Sequence, residues 1–246
     1  MSKILQYLSI GFVGIYIIYI YLIKRLTYLI AERYVWLTVL AGFVMIVVAV
    51  TGLFYSYKNY KLLKLNTTDN INTAKWWKNL NWLLVIPILV LFTIPLRTLS
   101  SESFNLRTAS SAFKISEQEK SKIKDKINFS IDTTQFNLYD WVKAKSLKDN
   151  SVFKDKMFST TGFITPTKVN NQFLLSRFVV SCCVVDATPA GVLVEYEYSP
   201  KFQANDWLEV KGKFEIKLID GVNQPVVVPT EIKKINQPDD IYLNRN

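Results

Sequence analysis

A chain of 246 residues that is 50% hydrophobic and 14% aromatic, with only eight Gly and eight Pro, is excluded from the disordered, collagen-like and low-complexity classes. Histidine is absent and cysteine occurs twice, which removes Ser-His, Cys-His and His-metal schemes and leaves neither a disulfide framework nor a four-thiolate zinc site within the chain. Of the net charge of +10, the first 97 residues carry +8, from ten basic residues against Glu32 and Asp69. An apolar, acid-poor part with basic flanks is the pattern of a membrane protein, not of a nucleic-acid-binding domain.

Three uncharged runs occupy that first part: residues 4–23, closed by Lys24-Arg25; residues 34–57, between Arg33 and Lys58; and residues 79–96, between Lys78 and Arg97. A helix needs about 20 mostly apolar residues to cross the hydrocarbon core, so all three are predicted spans, the third kinked or tilted by Pro87 and Pro95. Trp76, Trp77 and Trp82 flank the third run, and Tyr34, Trp36 and Tyr55 the second, as an aromatic belt would. The first run is followed by Lys24-Arg25 where a signal peptide would need small residues. With three spans, the N-terminus and the 58–80 loop hold six basic residues against five on the other side. The positive-inside rule then places the N-terminus in the cytoplasm and the C-terminal part outside.

No acid, Lys or Arg lies inside any of the three runs, so these spans by themselves make a poor pathway for a polar solute. Gly11 and Gly14, and Gly42 and Gly52, lack the four-residue spacing of a small-xxx-small seam and read as ordinary membrane-helix glycines.

After Arg97 the composition changes. Residues 100–111 are Ser-rich and read as a tether. Ser116 and Glu119 form a capping box that starts a short polar helix through residue 128, and residues 137–149 read as a second helix with Leu138, Trp141, Val142 and Leu147 on its apolar face. From Lys156 the period switches to strands: 157–164, a long run at 172–186 turned by the Thr188-Pro-Ala-Gly191 sequence, then 192–198, 207–216, and 225–235 after an Asp220-Gly221 turn. Five strands, the second long enough to bend, predict a small closed barrel of the OB type, with a sandwich as the alternative. The expected architecture is therefore an α-helical membrane anchor of three transmembrane helices (1–97), a tether with short helices (98–155) and a mostly-β, OB-like five-stranded barrel (156–246).

The most unusual string is Ser181-Cys-Cys-Val-Val-Asp-Ala-Thr-Pro-Ala-Gly191. On a regular strand, adjacent side chains point to opposite faces, so Cys182 and Cys183 would not grip one metal ion together. One reading packs one thiol in the core and leaves the other partly exposed; the other gives Cys182, Cys183 and Asp186 a metal or redox role. Arg177 suits either an anion or an acid on a neighbouring strand. The lysines at 120, 122, 124 and 126 read as a solvated helix face able to rest on anionic headgroups. With no Walker loop, G-x-G-x-x-G or G-x-S-x-G, no catalytic residue or cofactor is assigned. At a net +2, the C-terminal part lacks the basic groove that nucleic acid would require.

The cysteine string, its approach from Phe173 through Arg177-Phe-Val-Val-Ser-Cys-Cys183, the Asn205-Asp-Trp-Leu-Glu-Val-Lys-Gly212 segment and the closure Ile94-Pro-Leu-Arg97 together resemble the YcgQ-like bacterial membrane proteins, over essentially the whole chain. The resemblance implies a multi-pass protein of the cell membrane working beside a polytopic YcgR-type permease as a two-component system, with no established activity for its C-terminal domain. It also implies a His- and Asp-rich loop between the second and third spans, whereas residues 58–78 here hold no His and only Asp69. The expected function is a non-enzymatic accessory subunit of such a permease, with the bilayer and the permease as partners and no nucleic acid. The alternative is a membrane-tethered thiol or metal-binding module built on Cys182 and Cys183.

Overall fold

The computed structural model describes residues 2–63, 97–110, 133–147, 149–167, 169, 171–196, 202–219 and 221–244. The chain divides into two compact units, Met1–Arg97 and Thr98–Asn246.

In the first unit, helix α1 (Ser2–Leu22) and helix α2 (Val35–Leu63) pack side by side, joined by short 3-10 turns at Leu26–Tyr28 and Glu32–Tyr34. α1 stops in a Schellman arrangement. Lys24 takes a left-handed φ of 57° and its N–H donates to Tyr21 O at 3.0 Å, while Arg25 N–H reaches back to Ile20 O at 3.0 Å. Two stretches, Ile4–Leu22 and Glu32–Lys58, are long and apolar enough to cross a membrane, matching the first two expected spans. The third, at 79–96, lies outside the described residues, as do the capping box at Ser116, the polar helix after it and its lysine cluster.

The glycines of this unit are not incidental, contrary to the reading from spacing. A Cβ on Gly14 would stand 2.8 Å from Gly42 O, and one on Gly11 would stand 3.0 Å from Ala49 Cβ. Gly52 faces the ring of Tyr7 in the same way. The seam is shared between two helices of one chain, with Ala49 supplying a small position, so a search for small residues four apart along either helix alone does not find it.

The second unit is built around a closed five-stranded barrel. Strands β1 (Met157–Pro166), β2 (Gln172–Val180), β3 (Thr188–Glu195), β4 (Trp207–Ile219) and β5 (Val222–Ile235) pair in the order β1-β4-β5-β3-β2, and β1 pairs with β2 to close the ring. A short β6 (Leu243–Asn244) adds to β2 in parallel. Inward residues alternate along the strands, as at Leu208, Val210, Gly212 and Phe214 in β4. At Gly212 the β4–β5 register shifts, and a Cβ there would run into Val228 O, so only glycine admits that close approach.

Helix α4 (Leu138–Leu147) covers the core. Its start is fixed reciprocally: Asp140 N–H donates to Asn137 Oδ1 and Asn137 N–H donates to Asp140 Oδ2, each at 3.1 Å. Trp141, 1% exposed, sits with ring centroids 4.9 Å from Phe214, 6.0 Å from Phe158 and 6.1 Å from Phe153. These tilted aromatic contacts fill the centre of the core.

Two expectations fail here for local reasons. The Ser-rich segment read as a tether is helix α3 (Ser101–Ser110), and its one large apolar anchor, Phe104, packs edge-on against Phe163 and Phe178 of the barrel. The long second strand ends at Val180 rather than continuing to 186, and Thr188-Pro-Ala-Gly191 opens β3 instead of turning.

Candidate functional site: the Cys182–Cys183 loop

The loop between β2 and β3 carries the two cysteines. The β2–β3 pairing ends at Val179 against Thr188, so residues 180–187 reverse direction outside that ladder. Asp186 closes it from inside. Its Oδ1 accepts the Ser181 N–H at 3.0 Å and its Oδ2 accepts the Cys182 N–H at 2.8 Å. A 3-10 turn at Val184–Asp186 completes the reversal, with Asp186 N–H donating to Cys183 O at 3.1 Å. From outside, Arg107 of α3 donates Nη1 to Ala187 O at 2.6 Å and Nη2 to Val184 O at 3.2 Å. One carboxylate and one guanidinium therefore satisfy main-chain groups that no strand partner takes.

Within this frame Cys182 is exposed and Cys183 half-buried, and their Sγ atoms stand 3.6 Å apart. Both sequence readings of the pair need correction. Neither thiol is fully buried, and the two sulfurs lie together rather than on opposite faces, in the loop that follows the end of β2 at Val180. The three residues singled out as metal candidates, Cys182, Cys183 and Asp186, are neighbours in space. Among the described residues, however, no group of three His, Cys, Asp or Glu side chains is placed to hold a metal ion. Asp186 directs its oxygens to main-chain N–H groups.

Electrostatics follow the same contacts. Hydrogen bonds to Asp186 and then to Cys183 push the Cys182 thiol up to about 11, so it is protonated at neutral pH and is no ready nucleophile. Desolvation raises Asp186, but the Ser181 and Cys182 N–H groups outweigh it and hold the carboxyl below its ordinary value.

Arg177, on β2, is 5% exposed and pairs with an acid, but that acid is on the C-terminal segment rather than on a neighbouring strand. Nη2 lies 3.4 Å from Asp240 Oδ2 and also donates to Asp240 O, Nη1 reaches Thr161 Oγ1 at 3.4 Å, and the guanidinium lies over the Trp207 ring. Arg177 also lines an open groove of about 290 Å³ with Thr160, Thr161, Glu209 and Gln135–Leu138. Sequence reasoning missed this groove, because it forms only where β1, β2 and β4 meet the start of α4. It missed Arg107 as well; the residue stands in a polar segment with no motif, and its role exists only once α3 is folded against β3.

Two family profiles match this architecture. Residues 5–110 match the DUF1980 N-terminal domain and residues 107–245 match the DUF1980 C-terminal domain. The chain belongs to the DUF1980 family. A curated relative, UPF0703 protein YcgQ of Bacillus subtilis (strain 168), is 30% identical over 77 residues, which is 30% of this chain and 27% of that protein's length. These matches bear out the resemblance to YcgQ-like proteins drawn from the cysteine string. Among solved structures, the small single-stranded DNA-binding protein of Streptomyces coelicolor aligns with 33% of this chain and 93% of its own, at 11% identity and a TM-score of 0.23.

Proposed function

We propose that the chain is a non-enzymatic accessory subunit of a two-component membrane permease, held in the cell membrane by its N-terminal helices and carrying its barrel on the extracytoplasmic side. The observation that carries this reading is the α1–α2 hairpin. Its small residues are spent on the seam between the two helices, while Leu8, Ile15, Phe43 and Phe54 remain exposed on its outer surface. Such a surface suits lipid tails or the helices of a partner, and water is a poor solvent for it. Residues 4–23 and 34–57 of the hairpin contain no Asp, Glu, Lys or Arg, so a polar solute would need a pathway supplied by another chain. The YcgQ-like resemblance supports the same arrangement through the YcgR-type permease it implies, and the six basic residues of the N-terminus and the 58–80 loop, against five on the other side, support the orientation.

Photo-crosslinking in native membranes tests the reading. A photoreactive residue at Phe43 or Phe54 is expected to give a discrete adduct with one polytopic membrane protein. Adducts with lipid alone at both positions would contradict it.

A further inference from the structure

We propose that the turn joining α1 to α2 is a binding surface for the headgroup of an anionic phospholipid, held by Lys24, Arg25 and Arg33. This deepens the membrane reading of the hairpin and rests on it. The register of the seam comes first. Gly52 faces Tyr7, Gly11 faces Ala49, Gly14 faces Ile46 and Gly42 faces Ile17, so the two helices run antiparallel in steady register. Continued past Leu22, that register brings Lys24 and Arg25 level with the start of α2, where Arg33 lies. Three exposed cations from the two sides of the turn therefore share one level, and Glu32 is the only acid in the sequence before Asp69.

The same level carries exposed aromatic side chains. Tyr21, Tyr34 and Trp36 stand there, and the Arg33 guanidinium lies 5.2 Å from the centre of the Tyr34 ring. Tyr and Trp concentrate at headgroup depth because each presents an apolar body and a polar edge, so rings and cations mark the interface independently. The main chain between them is held in place. Leu26 and Ala31 are each 3% exposed, Tyr28 N–H donates to Arg25 O at 3.1 Å, and Tyr34 N–H donates to Ala31 O at 2.9 Å. A turn fixed in this way presents its charges without the cost of ordering a loop on binding. A headgroup whose only charge is its phosphate, of the phosphatidylglycerol type, complements the cluster. A zwitterionic headgroup brings an ammonium that the three cations repel.

Electron spin resonance on the full chain reconstituted in phosphatidylcholine vesicles tests this, with trace spin-labelled phosphatidylglycerol compared against spin-labelled phosphatidylcholine. The chain is expected to immobilise the phosphatidylglycerol label in preference by about threefold or more, and added salt should shrink the preference. Replacing Lys24→Gln, Arg25→Gln and Arg33→Gln together should abolish it, with circular dichroism showing unchanged helicity. Replacing Lys3→Gln, Lys58→Gln and Lys61→Gln, at the opposite end of the hairpin, should leave most of it. A parent chain that inserts and shows no preference overturns the proposal alone, as do equal losses from the two sets of substitutions. A chain that fails to float with the vesicles overturns the membrane reading, and this proposal with it.

Discussion

The guanidinium of Arg107 donates to the main-chain carbonyl of Ala187 at 2.6 Å, tying helix α3 to the end of a loop 80 residues away in sequence. The same side chain reaches Val184 O, so the geometry around the two thiols depends on a helix that precedes the barrel. Arg107→Met removes both bonds. A charge-assisted hydrogen bond of this kind contributes about 1.5–3 kcal/mol. The variant is expected to unfold at lower urea with an unchanged slope and to exchange its 181–187 amides faster. Amide exchange identical to that of the parent chain would show that the loop holds itself.

Trp141 is the largest side chain in the centre of the barrel unit and touches four phenylalanine rings, those of Phe136, Phe153, Phe158 and Phe214. Trp141→Ala is expected to cost about 3–5 kcal/mol, because the space it leaves is walled by strands that close on one another and do not collapse. Urea denaturation followed by far-ultraviolet circular dichroism measures this; a loss below about 1 kcal/mol would place the core elsewhere.

These two residues mark the division between what pattern reading reaches and what it does not. Trp141 was readable, since Leu138, Trp141 and Val142 recur at helical spacing, and the barrel was readable from strand-length β-rich runs punctuated by turn residues. Helix α3 was not. Its composition is that of a linker, and what holds it is tertiary: Phe104 entering a ring cluster formed by β1 and β2, and Arg107 bonded to the Val184 and Ala187 carbonyls. The thiol geometry was hidden for a related reason. Val180 through Asp186 looks like continuous strand because Val and Cys favour extended structure, and the break arises from Asp186 turning its carboxylate back onto two main-chain N–H groups. The α1–α2 seam was missed because it is a property of two helices in register, and neither helix carries the whole pattern alone.

The pH response of the loop has a definite sign. With Cys182 pushed up to about 11, its alkylation rate should keep rising with pH well past neutrality. Asp186→Asn removes the first cause of that shift and should bring the inflection down towards the ordinary thiol range. For Asp186 itself the folded carboxyl is held low, so its contribution to stability is present above the ordinary aspartate range and is lost as pH falls through its folded value. Iodoacetamide kinetics on the parent chain and Asp186→Asn check the first part. Coincident pH profiles for the two would contradict it.

The hairpin seam allows a steric test. Gly14→Leu places a side chain where a single Cβ already comes within 2.8 Å of Gly42 O, so the helices must separate or unwind. Thermal unfolding of helicity in detergent is expected to shift to lower temperature and broaden, while Leu8→Ala on the exposed face leaves it nearly unchanged. Equal effects from both substitutions would mean that the seam does not organise the pair.

The central claim is that this chain works as one part of a membrane assembly. The most direct measurement is mild-detergent purification of the tagged chain from native membranes, with partners identified and quantified by mass spectrometry. The account predicts one polytopic permease recovered at close to equal stoichiometry and retained by the Cys182→Ser and Cys183→Ser variants. Recovery of the chain alone, folded and from membranes in which the permease is present, would contradict it.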